Sequence, residues 1–332
     1  MPTSRSSRRL AVITAGDPSG IGPEIILKAL TSKTLPKNIT PLIIGDYKVF
    51  EKNAKILKLA TLPAGSRKGG GFAVKEDCIN FIDLNNVPQR KFRFGTLDKI
   101  YGQAAMEYLS CGVEIAKSVK NSFLVTAPIN KEAIHKAGYK CAGHTEFLAY
   151  ATETKQVTMM LVGEGLRVSL VTRHISLKSV AQSLTKENII RTAENTYSAL
   201  KNIFRIASPR IGIAGLNPHA GDGGVLGREE RAIIEPAVKV LRRRIKGITG
   251  PHPADTLFYK AYRGDVDAVV CMYHDQGLVP LKMIAFDTGV NMTLGLPFVR
   301  TSPDHGTGFD IAGKGKANPS SMIEAIKLAA RC

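Results

Sequence analysis

With 332 residues, 44% of them hydrophobic and 6% aromatic, the chain holds enough apolar material for two domains or one elaborated domain and is too long for a single small core. No window approaches the ~20 consecutive apolar residues of a membrane span, so a helical membrane protein is not expected. The formal net charge of +18 raises the question of nucleic acid, but Lys and Arg are dispersed along the chain. The one dense run, Arg242-Arg243-Arg244 with Lys246, reads as a solvated helix end without interleaved aromatics, and the positive field suits small anionic substrates and cofactors instead.

The chain opens on MPTSRSSRRL, basic and Ser-rich but lacking the apolar run of a secretory signal; residues 1–9 are read as a disordered tail. Apolar runs then recur as expected strands: AVITAG, PLIIGD, FLVTAP, VTMMLV, RVSLVT, RIGIAG and DAVVCM. Helical patterns fall at 23–31, 101–119, 177–184, 186–204, 229–247 and 319–330, and 67–71 reads as a glycine-rich turn or loop. This alternation predicts an α/β fold. No repeat and no polar linker marks a boundary, so the domains are expected to be interwoven by chain crossings. Five cysteines (78, 111, 141, 271 and 332) form no CxxC pair and no even framework, which fits a reduced, cytoplasmic location. Cys271 reads as core, and Cys141 borders the Gly143-His144-Thr145 turn.

The first strand runs into Gly16-Asp17-Pro18-Ser19-Gly20-Ile21-Gly22-Pro23-Glu24, a tight strand-to-helix turn with proline at the first helical turn. Its spacing is neither GxGxxG nor a P-loop, so it is a weak phosphate signal. Three histidines are more informative. His174 closes RVSLVTRH, His219 follows RIGIAGLNP and His274 follows DAVVCMY. A lone strand-end histidine is more often a satisfied polar residue than a ligand, but three in one context, among the seven of the chain, read as a shared metal site. Imidazole suits zinc and neighbours such as cobalt, and three protein ligands leave positions open for a substrate; the expected metal is zinc, with cobalt or magnesium as alternatives.

Lys282, Asn291 and Arg300, with His144 and Thr145 in the Gly143-His144-Thr145-Glu146 turn, supply the ammonium, amide, guanidinium and hydroxyl donors that a phosphate or carboxylate needs. Asp255 and Asp275 read as a base or as support for the metal ligands, with helix capping as the commoner role for an isolated aspartate. The segment from Arg300 to Pro319 reads as a long polar loop with a helix after it, in which Asp310 could accept hydrogen bonds from a ribose.

The motifs GDPSGIGPE, GHTEF, LNPHAGDGG, PADTLF, MYHDQG and GVNMTLGLPFVRTSPDHGT together resemble the 4-hydroxythreonine-4-phosphate dehydrogenase family of pyridoxal phosphate biosynthesis, from about residue 10 to the C-terminus. Small departures are Ser19 where the family usually has Ala and Asp222 where Glu is frequent. The resemblance implies two α/β domains with a cleft between them, similar to isopropylmalate and isocitrate dehydrogenases and not a Rossmann fold. The expected division is 10–135 plus 285–332, carrying most of the NAD site, and 136–284, carrying metal ligands and dimer interface. It further implies His174, His219 and His274 as metal ligands in a site shared across a homodimer, and His144, Thr145, Lys282, Asn291 and Arg300 as substrate-binding residues. By the same resemblance His305, Gly306, Asp310, Ile311 and Asn318 hold NAD, with NADP as the alternative and Asp310 favouring NAD by repelling a 2′-phosphate. Asp255, Asp275 and Lys282 are the candidates for proton transfer.

The implied reaction is NAD-dependent oxidation and decarboxylation of 4-phosphohydroxy-L-threonine to 3-amino-2-oxopropyl phosphate. A paralogous group that oxidises D-threonate or D-erythronate 4-phosphate is the near alternative. A metal-dependent lyase or phosphatase and a basic RNA-binding protein are the remote ones.

Overall fold

The structure is a computed structural model and describes residues 8–59, 75 and 78–332. The expected loop at 67–71 and all of the expected tail except its last two residues lie outside the described residues. Arg9 is no part of a tail. It opens the first strand, where its guanidinium donates to the carbonyls of Ala329 (2.9 Å) and Ala330 (3.1 Å) and lies over the Phe123 ring.

In chain order, a first compact unit begins with β1 (Arg9–Thr14), α1 (Gly22–Leu30), β2 (Ile39–Gly45), α2 (Tyr47–Ile56), β3 (Asn80–Asp83), α3 (Lys99–Ser118), β4 (Ser122–Thr126), α4 (Lys131–Lys136) and α5 (His144–Ala151). A second unit follows with β5 (Thr158–Gly163), β6 (Leu166–Leu170), α6 (Leu177–Ser183), α7 (Lys186–Asn202), β7 (Ile211–Ala214), α8 (Glu235–Arg244), β8 (Ile248–His252), α9 (Ala254–Tyr262), β9 (Ala268–Cys271), α10 (His274–Ala285) and β10 (Val290–Leu294). The chain then returns to the first unit with β11 (Arg300–Pro303) and α11 (Ser320–Arg331). The units are Met1–Lys155 with Leu296–Cys332, and Gln156–Gly295. Both chain crossings come about ten to twenty residues later than the sequence suggested, and α5, which packs on α3, belongs to the first unit.

In the first unit the strands run β3-β2-β1-β4-β11, all parallel. Helices on its faces bury it, which is why β1 and β4 read as unbroken apolar runs such as Leu10-Ala11-Val12-Ile13. Side-chain caps start the helices: Asp46 accepts from Val49 N–H, Asp98 from Ile100 N–H and Asn130 from Ala133 N–H. Gly102 lets α3 lie directly on α4, since a Cβ there would meet the carbonyl oxygen of Ala133. The second unit orders its strands β10-β5-β6-β9-β7-β8, antiparallel at β10-β5 and β5-β6 and parallel from β6 to β8. Helix α10 covers β6 closely because Gly277 has no side chain; a Cβ there would come within 2.3 Å of Val168 Cγ1. Among the described residues no helix is long and apolar enough to cross a membrane.

Two expectations change locally. Arg300–Pro303 was read as loop but is the buried strand β11, with Arg300, Thr301 and Ser302 all inside. The helix expected at 229–247 begins as a π-turn at Glu230–Ile234 before continuing as α8 to Arg244, and the arginine run does end it, exposed in its last turn.

Candidate active site

In the second unit the parallel strands β6, β9 and β7 end side by side, and each leads into one of the three histidine motifs. After β6, the Thr172 hydroxyl and N–H both donate to the Met272 carbonyl (2.7 and 3.2 Å), which fixes the chain two residues before His174. His274 is the first residue of α10, and its Nδ1 lies 2.6 Å from Asp275 Oδ1. That contact leaves Nε2 as the nitrogen available to a ligand. The His174 and His274 rings stand 5.4 Å apart at 47°. His219 sits on an unusual turn, Pro218–Gly224, in which residues 219–223 all have left-handed backbone (φ 52, 53, 83, 42 and 63°). Three of these are not glycine, at a cost of about 1 kcal/mol each, and the turn survives because the buried Glu230 carboxylate braces it from within. Its Oε1 accepts from the N–H groups of Leu216 (2.7 Å) and Asn217 (2.8 Å), and its Oε2 from the Asn217 amide (2.9 Å).

Thus the structure brings the rings of His174 and His274 together, with His219 exposed on its own turn. Among the described residues, no three His, Cys, Asp or Glu side chains of one chain gather closely enough to hold an ion. The donor set still fits a divalent metal: two adjacent imidazoles, one of them oriented by a carboxylate, are what such an ion takes. Lys282 is half-buried on α10 with its ammonium 5.8 Å from the Phe286 ring centroid. Asn291, on β10, has a buried Oδ1 without a hydrogen-bond partner. Asp255 and Asp275 are both exposed in the first turns of α9 and α10, and Asp255 accepts from Thr256 N–H at 2.7 Å.

In the first unit, Arg300 opens β11 with 2% of its surface exposed and donates to the Thr126 hydroxyl at the end of β4 (2.5 Å). Burial pulls its pKa down to about 9. His144 begins α5, and its Nε2 is buried without a hydrogen-bond partner; burial first, and the Arg300 charge second, hold its pKa well below the usual imidazole range. His144 is therefore neutral at physiological pH beside a cation whose desolvation an anionic ligand would offset. Thr145, next on α5, is buried.

The loop after β11 is anchored by residues that sequence reading passed over. Glu24 on α1, 1% exposed, accepts from Gly315 N–H (3.2 Å), Ala317 N–H (2.8 Å) and the Lys28 ammonium (2.8 Å). Lys28 in turn donates to the carbonyls of Gly315 and Ala317. The only sequence signal was the i, i+4 spacing of the two charges. The first turn meets the same loop, since Ile21 N–H donates to the Thr307 carbonyl (2.9 Å). That commits a helix-start amide which a phosphate would otherwise use. Within the loop His305, Gly306 and Asp310 are exposed and Ile311 is half-buried. Asn318 is exposed too, but its Oδ1 accepts from the N–H and hydroxyl of Ser320, so that oxygen is engaged at the start of α11.

Residues 37–329 match the family described as pyridoxal phosphate biosynthetic protein PdxA. A D-threonate 4-phosphate dehydrogenase of Cupriavidus necator is 45% identical over 95% of this chain and 94% of that protein. A 4-hydroxythreonine-4-phosphate dehydrogenase of Desulforapulum autotrophicum is 44% identical over 98% and 95%. Among solved structures, the 4-hydroxythreonine-4-phosphate dehydrogenase of Klebsiella pneumoniae superposes with a TM-score of 0.86 at 38% identity, over 99% of both chains. The chain therefore belongs to the PdxA family and is a dehydrogenase of that family.

Proposed function

We propose that this protein oxidises and decarboxylates 4-phosphohydroxy-L-threonine to 3-amino-2-oxopropyl phosphate, with NAD as hydride acceptor and a divalent metal, zinc foremost, in a homodimer whose partner subunit completes the metal site. The observation that carries the reading is the end-to-end similarity to dehydrogenases named for 4-phosphorylated hydroxy acids. The buried Arg300 beside a neutral His144 supports it, because a desolvated guanidinium is a strong anion receptor. A cytoplasmic location follows from the cysteine usage read above.

In this reading Arg300, His144, Thr145, Lys282 and Asn291 fix the phosphate and carboxylate of the substrate, so that the reacting carbon is held by its two anionic ends. His174, His219 and His274 would hold the ion, which supplies Lewis-acid polarisation of the substrate hydroxyl. Asp275 keeps His274 in the tautomer with Nε2 free. Asp255, Asp275 or Lys282 takes the hydroxyl proton. The loop from His305 to Asn318, clasped by Glu24 and Lys28, would seat NAD, which supplies the hydride acceptor; the Asp310 carboxylate disfavours a 2′-phosphate.

The similarity to the Cupriavidus relative favours a second reading, in which D-threonate 4-phosphate is the substrate and the same machinery serves sugar-acid breakdown. The test is NADH formation by the purified protein with each substrate, with and without chelator and added zinc. Metal-dependent turnover of the threonine phosphate alone supports the first reading, and preference for the threonate supports the second. Turnover of neither, or release of carbon dioxide or phosphate without NADH, overturns both.

A further inference from the structure

Two buried side chains that the proposed chemistry does not use hold the three histidine-bearing strand ends in register. The backbone pairing of β7 with β9 ends at Ile213 and Val270, and beyond it the two chains diverge toward His219 and His274. Gln276, 9% exposed, takes over there: its Oε1 accepts from Met272 N–H (2.7 Å) and its Nε2 donates to the Gly215 carbonyl (2.7 Å). A primary amide carries the same donor and acceptor as a peptide group, so Gln276 acts as an extra rung of the ladder. The Met272 carbonyl is the acceptor for Thr172, so the end of β6 joins the same bracket. Glu230, 2% exposed, continues it one residue further through Leu216 and Asn217. A Cβ at Gly221 would come within 2.7 Å of its Oε2, so the carboxylate fills the inside of the His219 turn.

We propose that Gln276 and Glu230 are positioning residues for the metal-binding histidines, and that they set the affinity and ligand geometry of the divalent ion without touching it. The inference rests on the three-histidine reading above. Losing an outer-shell partner of a metal ligand weakens binding by about 10- to 100-fold, and Gln276 and Glu230 act one step further out, through the backbone that carries the ligands.

The test uses the full-length enzyme stripped with a chelator and titrated with cobalt(II) alone, reading the dissociation constant and the visible d–d bands. Gln276→Met keeps the volume but loses both hydrogen bonds, and Glu230→Gln sets an amide against the Asn217 amide. Both should weaken cobalt by about tenfold or more and alter the band shape. Thr196→Val, which removes a buried hydrogen bond between α7 and Ser169 of β6, outside the bonds made by Gln276 and Glu230, measures the effect of lost stability and should leave the cobalt spectrum unchanged. Gln276→Met and Glu230→Gln binding within about threefold of wild type, or an equal loss in Thr196→Val, overturns the inference. If wild type binds no cobalt, or His219→Ala binds it as well as wild type, the three-histidine reading itself has failed.

Discussion

Asp17 is a buried acid at the turn after β1, and its removal should make the protein more stable at neutral pH. The side chain is 1% exposed; Oδ1 accepts from the N–H and hydroxyl of Ser19, both at 2.9 Å, while the buried Oδ2 has no hydrogen-bond partner. Burial outweighs the Ser19 and Gly20 donors and raises the pKa from 3.8 to about 6. A folded-state pKa above the unfolded one means that stability is present at low pH and lost as pH rises through the folded value. At 1.36 kcal/mol per unit the shift amounts to about 3 kcal/mol, of which about 1 is already lost at pH 4.5, leaving about 2 between pH 4.5 and 8. Asp17→Asn keeps the Oδ1 acceptor and never ionises. Its melting temperature relative to wild type should therefore rise by roughly 3–5 °C between pH 4.5 and pH 8, measured by calorimetry at both values. Every other titrating group is common to the two proteins, so the change in the difference isolates Asp17. A variant-minus-wild-type difference that is the same at both pH values would refute the argument.

Gly102→Ala should cost about 1–3 kcal/mol of stability, seen in urea unfolding, because the new methyl would stand 2.2 Å from the Ala133 carbonyl oxygen and that neighbour is backbone. Arg300→Lys should raise KM for the phosphorylated substrate by about 30- to 100-fold, since an ammonium keeps the charge but loses the fork that grips an oxyanion; an unchanged KM would remove Arg300 from the anion site. Glu24→Gln should raise KM for NAD by about tenfold, the equivalent of one charge-assisted hydrogen bond, and leave KM for the hydroxy acid unchanged. Equal effects on both would show that Glu24 serves the fold and not the cofactor loop.

The α/β alternation was legible because strands buried on both faces are continuous apolar runs, and β1, β2, β4, β5, β6, β7 and β9 all lie in such runs. The strands that escaped lack that signature. β11 is Arg-Thr-Ser-Pro, buried because its polar groups find partners such as the Thr301 hydroxyl bond to the Ala325 carbonyl, and β8 carries Gly250 and Pro251. Helix α10 was hidden by Gly277 and Pro280, which read as breakers but here allow close packing on β6 and an interior proline. The histidine positions could be read from the strand ends they follow. The buried hydrogen bonds of Glu230 and Gln276 could not, since they reach back 14 residues to Leu216 and 61 to Gly215, distances over which local pattern carries no information.

The return of the chain from the second unit to the first has a consequence for synthesis. β4 pairs with β11, the Arg9 guanidinium is held by carbonyls of α11, and the Glu24–Lys28 clasp needs Gly315 and Ala317. All of these partners follow the second unit in the chain, so until β11 and the segments after it have left the ribosome the sheet of the first unit still ends at an open β4 edge. An unpaired strand edge is a template for another chain. The vulnerable period in the life of this protein is therefore the interval between the emergence of β4 and the arrival of β11, during which the first unit is the aggregation-prone one.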